Sequence, residues 1–169
     1  MTHEGFEKAA YYWDNKEQTA MPEEALKQAV LKYIGENNTC ALATGTGDYV
    51  RCTPIEYSFH DGKFWMFSEG GRKFIGLEKN SHVCLAIYDK YDGFGNLRSL
   101  QVTGIATMVE PFSEEYNTHA AFKKIPLDAL KKLPSPMNLI CVTPTRIDAL
   151  FSDFKKDGYS IRQVLHQLA

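Results

Sequence analysis

The chain has 169 residues, of which 44% are hydrophobic, and it carries a formal net charge of −2 with an isoelectric point near 6.2. This length suits one domain with its own core, and the charge gives no general attraction to nucleic acid or to an anionic membrane. No run approaches the roughly 20 apolar residues of a transmembrane helix, and the first residues lack the pattern of a secretion signal. We expect one cytoplasmic domain over residues 1–169, with a helical arm over 1–37 and a barrel over about 38–155.

The cysteines and histidines argue against a metal site. The four cysteines stand singly among apolar neighbours and form no C-x-x-C pair: Cys40, Cys52, Cys84 and Cys141. The five histidines are equally scattered, so no metal-ligand spacing occurs. We predict reduced, buried thiols and no metal.

The first 37 residues contain one clear periodic segment. Residues 1–20 are irregular in pattern, but they include the aromatic cluster Tyr11-Tyr12-Trp13, which we expect to dock on this protomer or on a second one. Pro22 begins a helix, because apolar residues then recur at helical spacing from Leu26 to Ile34. This helix is predicted to end at residues 35–38.

From residue 39 the apolar period changes to two, which is typical of strands. Tight turns are predicted at 45–48 and at Asp61-Gly62, a short helix after Gly71, and helices beginning at Ser113 and Pro126. The predicted strands cover residues 39–44, 49–59, 64–68, 83–88, 97–109, 139–142 and 147–151. Six or so antiparallel strands with helices between them favour a mainly β fold, a small barrel with peripheral helices, since closure removes exposed sheet edges.

Three cations point to an anion site. Arg51 lies on a strand of apolar and small residues, and Arg72 and Lys73 follow the pair Gly70-Gly71 at the start of a short helix. Free backbone N–H groups and fixed positive charges together suit a phosphate. Taken singly, each cation is equally compatible with an ordinary surface position.

An apolar slot is predicted beside this anion site. Ser68 ends the strand just before the glycine pair and would place a hydroxyl near a phosphate, while Phe67 would lie near a planar ring. Gln101 lies among apolar residues on a later strand, where a buried carboxamide needs partners. A ring edge with donors and acceptors would satisfy Gln101, and so would a backbone carbonyl. A core Phe and a turn Ser are the alternative interpretations of the other two.

Four segments, in order and spacing, carry a family resemblance: residues 51–56 (RCTPIE), 64–68 (FWMFS), 71–73 (GRK) and 100–104 (LQVTG). They resemble the pyridoxamine 5'-phosphate oxidase-like FMN-binding split-barrel family, and look most like its general-stress-protein branch. The resemblance covers roughly residues 38–110. It implies a six-stranded antiparallel split barrel and a homodimer with two FMN molecules at the subunit interface.

The resemblance also implies roles for individual residues. Arg51, Ser68, Arg72 and Lys73 would hold the phosphate and ribityl chain. Thr53 and Pro54 would line the ring with backbone groups, with Phe67 nearby, and Gln101 would meet the pyrimidine edge of the flavin. The N-terminal aromatics or residues near the C-terminus would cover the ring from the partner subunit.

Two departures from the family pattern bear on the substrate. Glu56 stands where the true oxidases have a substrate-binding lysine, which inverts the charge that a phosphorylated substrate would meet. The family's C-terminal Arg-x-His element is also missing, because the nearest pair, Arg162 and His166, is four residues apart. We therefore expect the cofactor site without vitamin B6 oxidation.

Three functions remain open at this stage. The leading hypothesis is an FMN-dependent oxidoreductase that passes electrons from a reduced nicotinamide or other donor to a small acceptor. The second is a non-catalytic flavin-binding or stress-response module, since no general acid, nucleophile or catalytic triad is evident. The third is a haem-binding relative, for which His60 looks solvated and His82 begins a strand.

Overall fold

The computed structural model describes residues 2–15, 17–166 and 168, and within them eight strands and five α-helices. The strands are β1 Thr39–Thr46, β2 Tyr49–Glu56, β3 Ser58–His60, β4 Lys63–Ser68, β5 His82–Tyr88, β6 Arg98–Val109, β7 Asn138–Phe151 and β8 Arg162–Leu165. The helices are α1 His3–Asn15, α2 Glu23–Glu36, α3 Lys73–Leu77, α4 Glu114–Phe122 and α5 Leu127–Lys131. Short 3₁₀ helices cover Phe94–Asn96 and Ser152–Asp157.

The strands form one curled antiparallel sheet in the order β2-β1-β5-β6-β7-β4-β3, with β8 added to β7. The predicted mainly β split barrel is confirmed, with eight strands where we expected six. The predicted strand over residues 49–59 is divided at Tyr57, because β2 pairs with β1 whereas β3 pairs with β4. Strand β8 was not predicted, since its four residues carry little pattern of their own.

The concave face of the sheet holds the main core. Paired residues on adjacent strands lie on the same face, and the row Leu42, Leu85, Val102, Ile147 and Leu165 runs across five strands of this face. Every member of the row is at most 2% exposed. Helix α2 packs its apolar face onto the same core, so this surface is filled by protein.

Strand β7 is continuous where the sequence predicted two pieces. Its register with β6 shifts between Thr103 and Gly104, so that Ile140 and Ile147, an odd number of residues apart, both face the concave core. A β-bulge permits this change of face within one strand. A Cβ atom on Gly104 would lie 2.7 Å from the carbonyl oxygen of Thr143, which only glycine avoids.

A second, smaller core lies on the convex face beneath α4 and α5. It joins Trp65 and Cys141, a cross-strand pair, to Tyr116 and Ala120 of α4 and Leu130 of α5. Ser113 caps helix α4, as the sequence predicted, and its Oγ accepts a hydrogen bond from the Tyr116 N–H at 3.2 Å. The convex face is thus covered at β4 and the adjoining part of β7.

The N-terminal segment has no clear period in the sequence. In the structure, residues 3–15 form α1, which carries i,i+4 ion pairs such as Lys8 with Glu4 at 2.7 Å. Tyr11 and Tyr12 are 70% and 56% exposed. Docking of this cluster stays a prediction, and the Trp13 side chain lies outside the described residues. None of the described helices has both the length and the apolar character needed to cross a membrane.

We predict that Gly76→Ala destabilises the protein by about 1–3 kcal/mol, because α3 lies directly on β1. The added Cβ would sit 2.9 Å from the backbone nitrogen of Gly45 and 3.1 Å from Cβ of Thr44. Gly35→Ala in α2 is the matched control, since nothing lies within 4 Å of its added Cβ. It should stabilise by about 0.5–1 kcal/mol. Urea unfolding measures the free energy of unfolding of both variants, and equal changes in the two variants would contradict this packing.

Candidate functional site

The split in the barrel lies beside β2, the strand that carries Arg51. Strand β2 pairs only with β1, so its other edge keeps unpaired backbone groups. Pro54 lies within it, and proline, which lacks an N–H, is typical of edge strands. Helix α3 packs against both β1 and β2, which brings the segment after β4 to this open edge.

The segment from Ser68 to Lys73 turns sharply beside the open edge. Gly70 and Gly71 have φ angles of 148° and 108°, which side-chain-bearing residues rarely adopt. Ser68 Oγ bonds both the N–H and the carbonyl of Gly70, at 3.3 and 3.2 Å. The hydroxyl of Tyr49 at the start of β2 donates to the Arg72 carbonyl at 3.0 Å. These bonds fix the turn against β2.

Lys73 is a buried cation at this turn. It is only 6% exposed, and its Nζ donates to the Gly70 carbonyl oxygen at 2.5 Å. Burial, together with the nearby positive charge of Arg51, lowers the pKa of the Lys73 ammonium. A buried cation with the exposed Arg51 close by favours the binding of an anion.

Two hydroxyls beside these cations lack hydrogen-bond partners. Thr44, directly opposite Arg51 in the ladder, is 3% exposed, and its buried Oγ1 is unpaired. The Oγ1 of Thr53, two residues along β2 from Arg51, is also buried and unpaired. The Thr44 hydroxyl faces Gly76 and is covered by α3. Buried polar atoms are nearly always bonded, so the unpaired Thr53 hydroxyl on the same strand as Arg51 is compatible with a ligand that carries hydrogen-bonding groups.

The structure divides the predicted site residues between two faces. Arg51, Thr53, Ser68, Arg72 and Lys73 belong to the concave rim and its adjoining turn. Pro54, Phe67 and Gln101 lie on convex-face positions: Gln101 pairs with Ala86, Ala86 with Ala41, and Ala41 with Pro54. One chain therefore does not bring Gln101 to Arg51.

The surroundings of Phe67 and Gln101 differ from those predicted. The Phe67 ring lies 5.3 Å from Tyr116 and 5.2 Å from His119, beneath α4. Gln101, predicted as buried, is exposed in a convex cleft of about 410 Å³. Arg146 and Asp148 line the same cleft, and the guanidinium donates to both carboxylate oxygens at 2.8 and 2.6 Å. The convex face is open at β6 because α4 covers only β4 and part of β7.

Other sequence predictions also need correction. Cys52 is exposed on the convex face of β2, although we expected buried thiols; Cys40 and Cys141 are buried, and Cys84 is partly buried. His60, predicted as solvated, is packed against Trp65, and its side chain is 14% exposed. Neither position could be found from the sequence, since both depend on which strands lie at the edge and where α4 docks. Among the described residues, no group of three or more candidate metal ligands occurs.

The family model for pyridoxamine 5'-phosphate oxidase matches residues 26–151. The chain belongs to this family. The matched residues run from within α2 to the end of β7, and they include both edge strands of the sheet, β2 and β3. A search of curated protein sequences found no match.

Solved structures show the same fold at low identity. General Stress Protein 26 from Bacillus anthracis is 18% identical, with a TM-score of 0.59 over 83% of this chain and 98% of that chain. A FAD-binding protein from Mesorhizobium loti is 15% identical, with a TM-score of 0.58 over 72% and 90%. The haem storage protein HutZ from Vibrio cholerae is 20% identical, with a TM-score of 0.59 over 73% and 91%. Proteins with this fold are thus described with different cofactors, FAD in one case and haem in another.

We predict that Lys73→Met stabilises the ligand-free protein by about 1 kcal/mol, because the buried ammonium costs free energy while Met keeps the apolar stem. The sign follows from the lowered pKa: the folded state disfavours the charged form, which predominates at neutral pH. Lys79→Met, an exposed residue after the same helix, should change stability by less than about 0.5 kcal/mol. A lower urea midpoint for Lys73→Met would contradict this electrostatic account.

Proposed function

We propose that this chain is an FMN-binding flavoprotein that transfers electrons from a reduced nicotinamide or similar donor to a small acceptor. The observation that carries the proposal is the closeness of Arg51 to the buried Lys73 at the open edge of the barrel, with the unpaired hydroxyl of Thr53 on the same strand as Arg51. Membership of the pyridoxamine 5'-phosphate oxidase family supports it.

The rim residues suit a phosphorylated ring compound. Arg51, Lys73 and the exposed Arg72 would hold the phosphate through charge-assisted hydrogen bonds, with the N–H groups of the glycine turn beside them. The hydroxyls of Ser68 and Thr53 would meet the ribityl chain. The unpaired backbone of β2 near Pro54 would contact the ring, since this edge is free.

A second copy of the chain would complete the site. Arg51 and Gln101 belong to opposite faces, and strand spacing puts β2 and β6 roughly 14 Å apart across the sheet. If the convex cleft around Gln101 faces the rim of a partner, Gln101 of one protomer reaches the flavin held by the other. We therefore propose a homodimer with two equivalent sites.

Bound FMN would supply two-electron chemistry, and the protein would supply orientation and exclusion of water. Glu56 at the end of β2 accepts a hydrogen bond from Lys123 Nζ at 2.7 Å. A carboxylate at this place repels a phosphorylated substrate, although Lys123 offsets its charge. The proposed substrate is accordingly a small acceptor without a phosphate group, and oxidation of pyridoxamine phosphate is not proposed.

We predict that Arg51→Glu and Lys73→Glu each weaken FMN binding by about 10- to 150-fold, since each removes a charge-assisted contact. Fluorescence titration of FMN measures the affinity, with circular dichroism to confirm folding. Lys79→Glu is the matched control, because it adds the same charge change at an exposed position near α3. Parent-like affinity in both test variants would refute the phosphate site, and tighter binding of FAD would reassign the cofactor.

We predict that mixed dimers restore binding, because each site takes Arg51 and Gln101 from different chains. Arg51→Glu and Gln101→Glu homodimers should both bind FMN weakly. A heterodimer, isolated through two affinity tags, should regain one full-affinity site per dimer, since one of its sites carries both changes and the other carries none. If both sites of the heterodimer stay weak, the two residues act within one chain.

Turnover separates an enzyme from a flavin-binding module. We predict that the FMN-loaded protein oxidises NADH or NADPH in the presence of an artificial electron acceptor, and that Lys73→Glu reduces the rate through lost FMN occupancy. Stoichiometric FMN binding without turnover would favour the module. A Soret band on titration with haemin, with no FMN bound, would favour the haem-binding alternative.

A further inference from the structure

A chain of three side chains lies on the convex side, outside the proposed flavin site. His60 Nδ1 is 2.8 Å from Asp61 Oδ2, and His60 Nε2 is 2.9 Å from His119 Nδ1. His60 ends β3 and Asp61 begins the turn to β4, whereas His119 is on the last turns of α4. The chain therefore joins α4 to the sheet.

Hydrogen-bond chemistry fixes where the protons lie. An ionised carboxylate can only accept, so Nδ1 of His60 carries a proton and Nε2 of the neutral ring is an acceptor. His119 Nδ1 must then donate to it. If both rings carried a proton on each nitrogen, two cations would lie 2.9 Å apart and their hydrogen bond would break.

Aromatic rings enclose the histidine pair. His60 stacks on Trp65 with a centroid distance of 4.9 Å and an interplanar angle of 3°, and Phe122 of α4 lies 4.3 Å from His60 on centroids. His119 is 1% exposed. Burial, together with the positive charge that His60 and Lys123 can carry, lowers the pKa of His119 to about 4.

The end of α4 also holds β2. Lys123, directly after the helix, donates to Glu56 at the end of the strand that carries Arg51. We name His119, Phe122 and Lys123 the α4 clamp. The other charged or titratable groups around it are Lys63 and Cys141 on the strands below, and Glu110, Glu114 and Glu115 beside the cleft next to His60.

We propose that the α4 clamp is a latch that opens in acid. Uptake of a second proton by the Asp61–His60–His119 chain detaches the last turns of α4 from the sheet. This detachment also frees the end of β2 at Glu56. Among the described residues, the side chain hydrogen-bonded to the His119 ring is His60, and the acidic groups nearby do not bond it. The latch is independent of flavin binding.

Hydrogen exchange of the full-length protein tests the latch. Protection factors, corrected for the intrinsic pH dependence of exchange, should fall at least about tenfold more for α4 amides than for amides of the central strand β5 between pH 7.5 and 4.5. His119→Phe keeps an aromatic ring in the same place and removes the titration, so its α4 amides should follow β5. An equal fall in both segments of the parent, or the same α4 response in His119→Phe, would overturn the proposal.

A direct titration keeps the proposal testable if His119→Phe does not fold. Nitrogen-15 NMR of the imidazoles should show that the histidine pair takes up only one proton while the α4 amides stay protected from hydrogen exchange. The second proton should bind only as that protection is lost. Independent protonation of both rings with α4 still protected would refute the latch.

Discussion

Alternation of side chains along a strand is the constraint on which the structure of this site depends. Successive residues of a strand point to opposite faces of the sheet. Gln101 lies in register with Pro54, which is three residues from Arg51, so the side chains of Gln101 and Arg51 lie on opposite faces. The concave face is filled by core residues and α2. A ligand that meets both Arg51 and Gln101 must therefore lie between two sheets, which requires two chains.

The rim also shows how the fold holds charge where a ligand is expected. Lys73 is buried, although the protein interior disfavours its charge, and the exposed Arg51 lies nearby. Two threonine hydroxyls beside them are left unpaired. Such features reduce the stability of a ligand-free protein and are typical of binding sites, where the ligand supplies the missing partners. Gly76 allows α3 to lie directly on β1, and Lys73, the first residue of α3, is thereby held beside β1 and β2.

Local pattern predicted most of the fold, and tertiary placement decided the rest. The Asp61-Gly62 hairpin, the Ser113 cap and the central strand β5 follow from turn chemistry, capping and apolar runs, which are properties of neighbouring residues. The division of the second strand at Tyr57 does not, because it depends on the Tyr57 hydroxyl and N–H bonding Ile34 and Asn38.

The sequence indicates the composition of the candidate site but not its geometry. The glycine turn and its two cations can be recognised in the sequence. The face of the sheet on which Gln101 lies, in contrast, can be known only from the register of four strands. Thr44 gave no sequence signal, since a threonine on a strand is ordinary and only its unpaired oxygen sets it apart. The His60–His119 pair was missed because its members are 59 residues apart and meet only when α4 docks.

The most direct test of the central claim is the flavin content of the purified protein after incubation with FMN and removal of free ligand. The absorption spectrum after denaturation gives flavin per chain, and light scattering gives chains per particle. We predict one FMN per chain in a two-chain particle. A colourless protein would contradict the flavoprotein assignment, and one FMN per chain in a monomer would contradict the shared site.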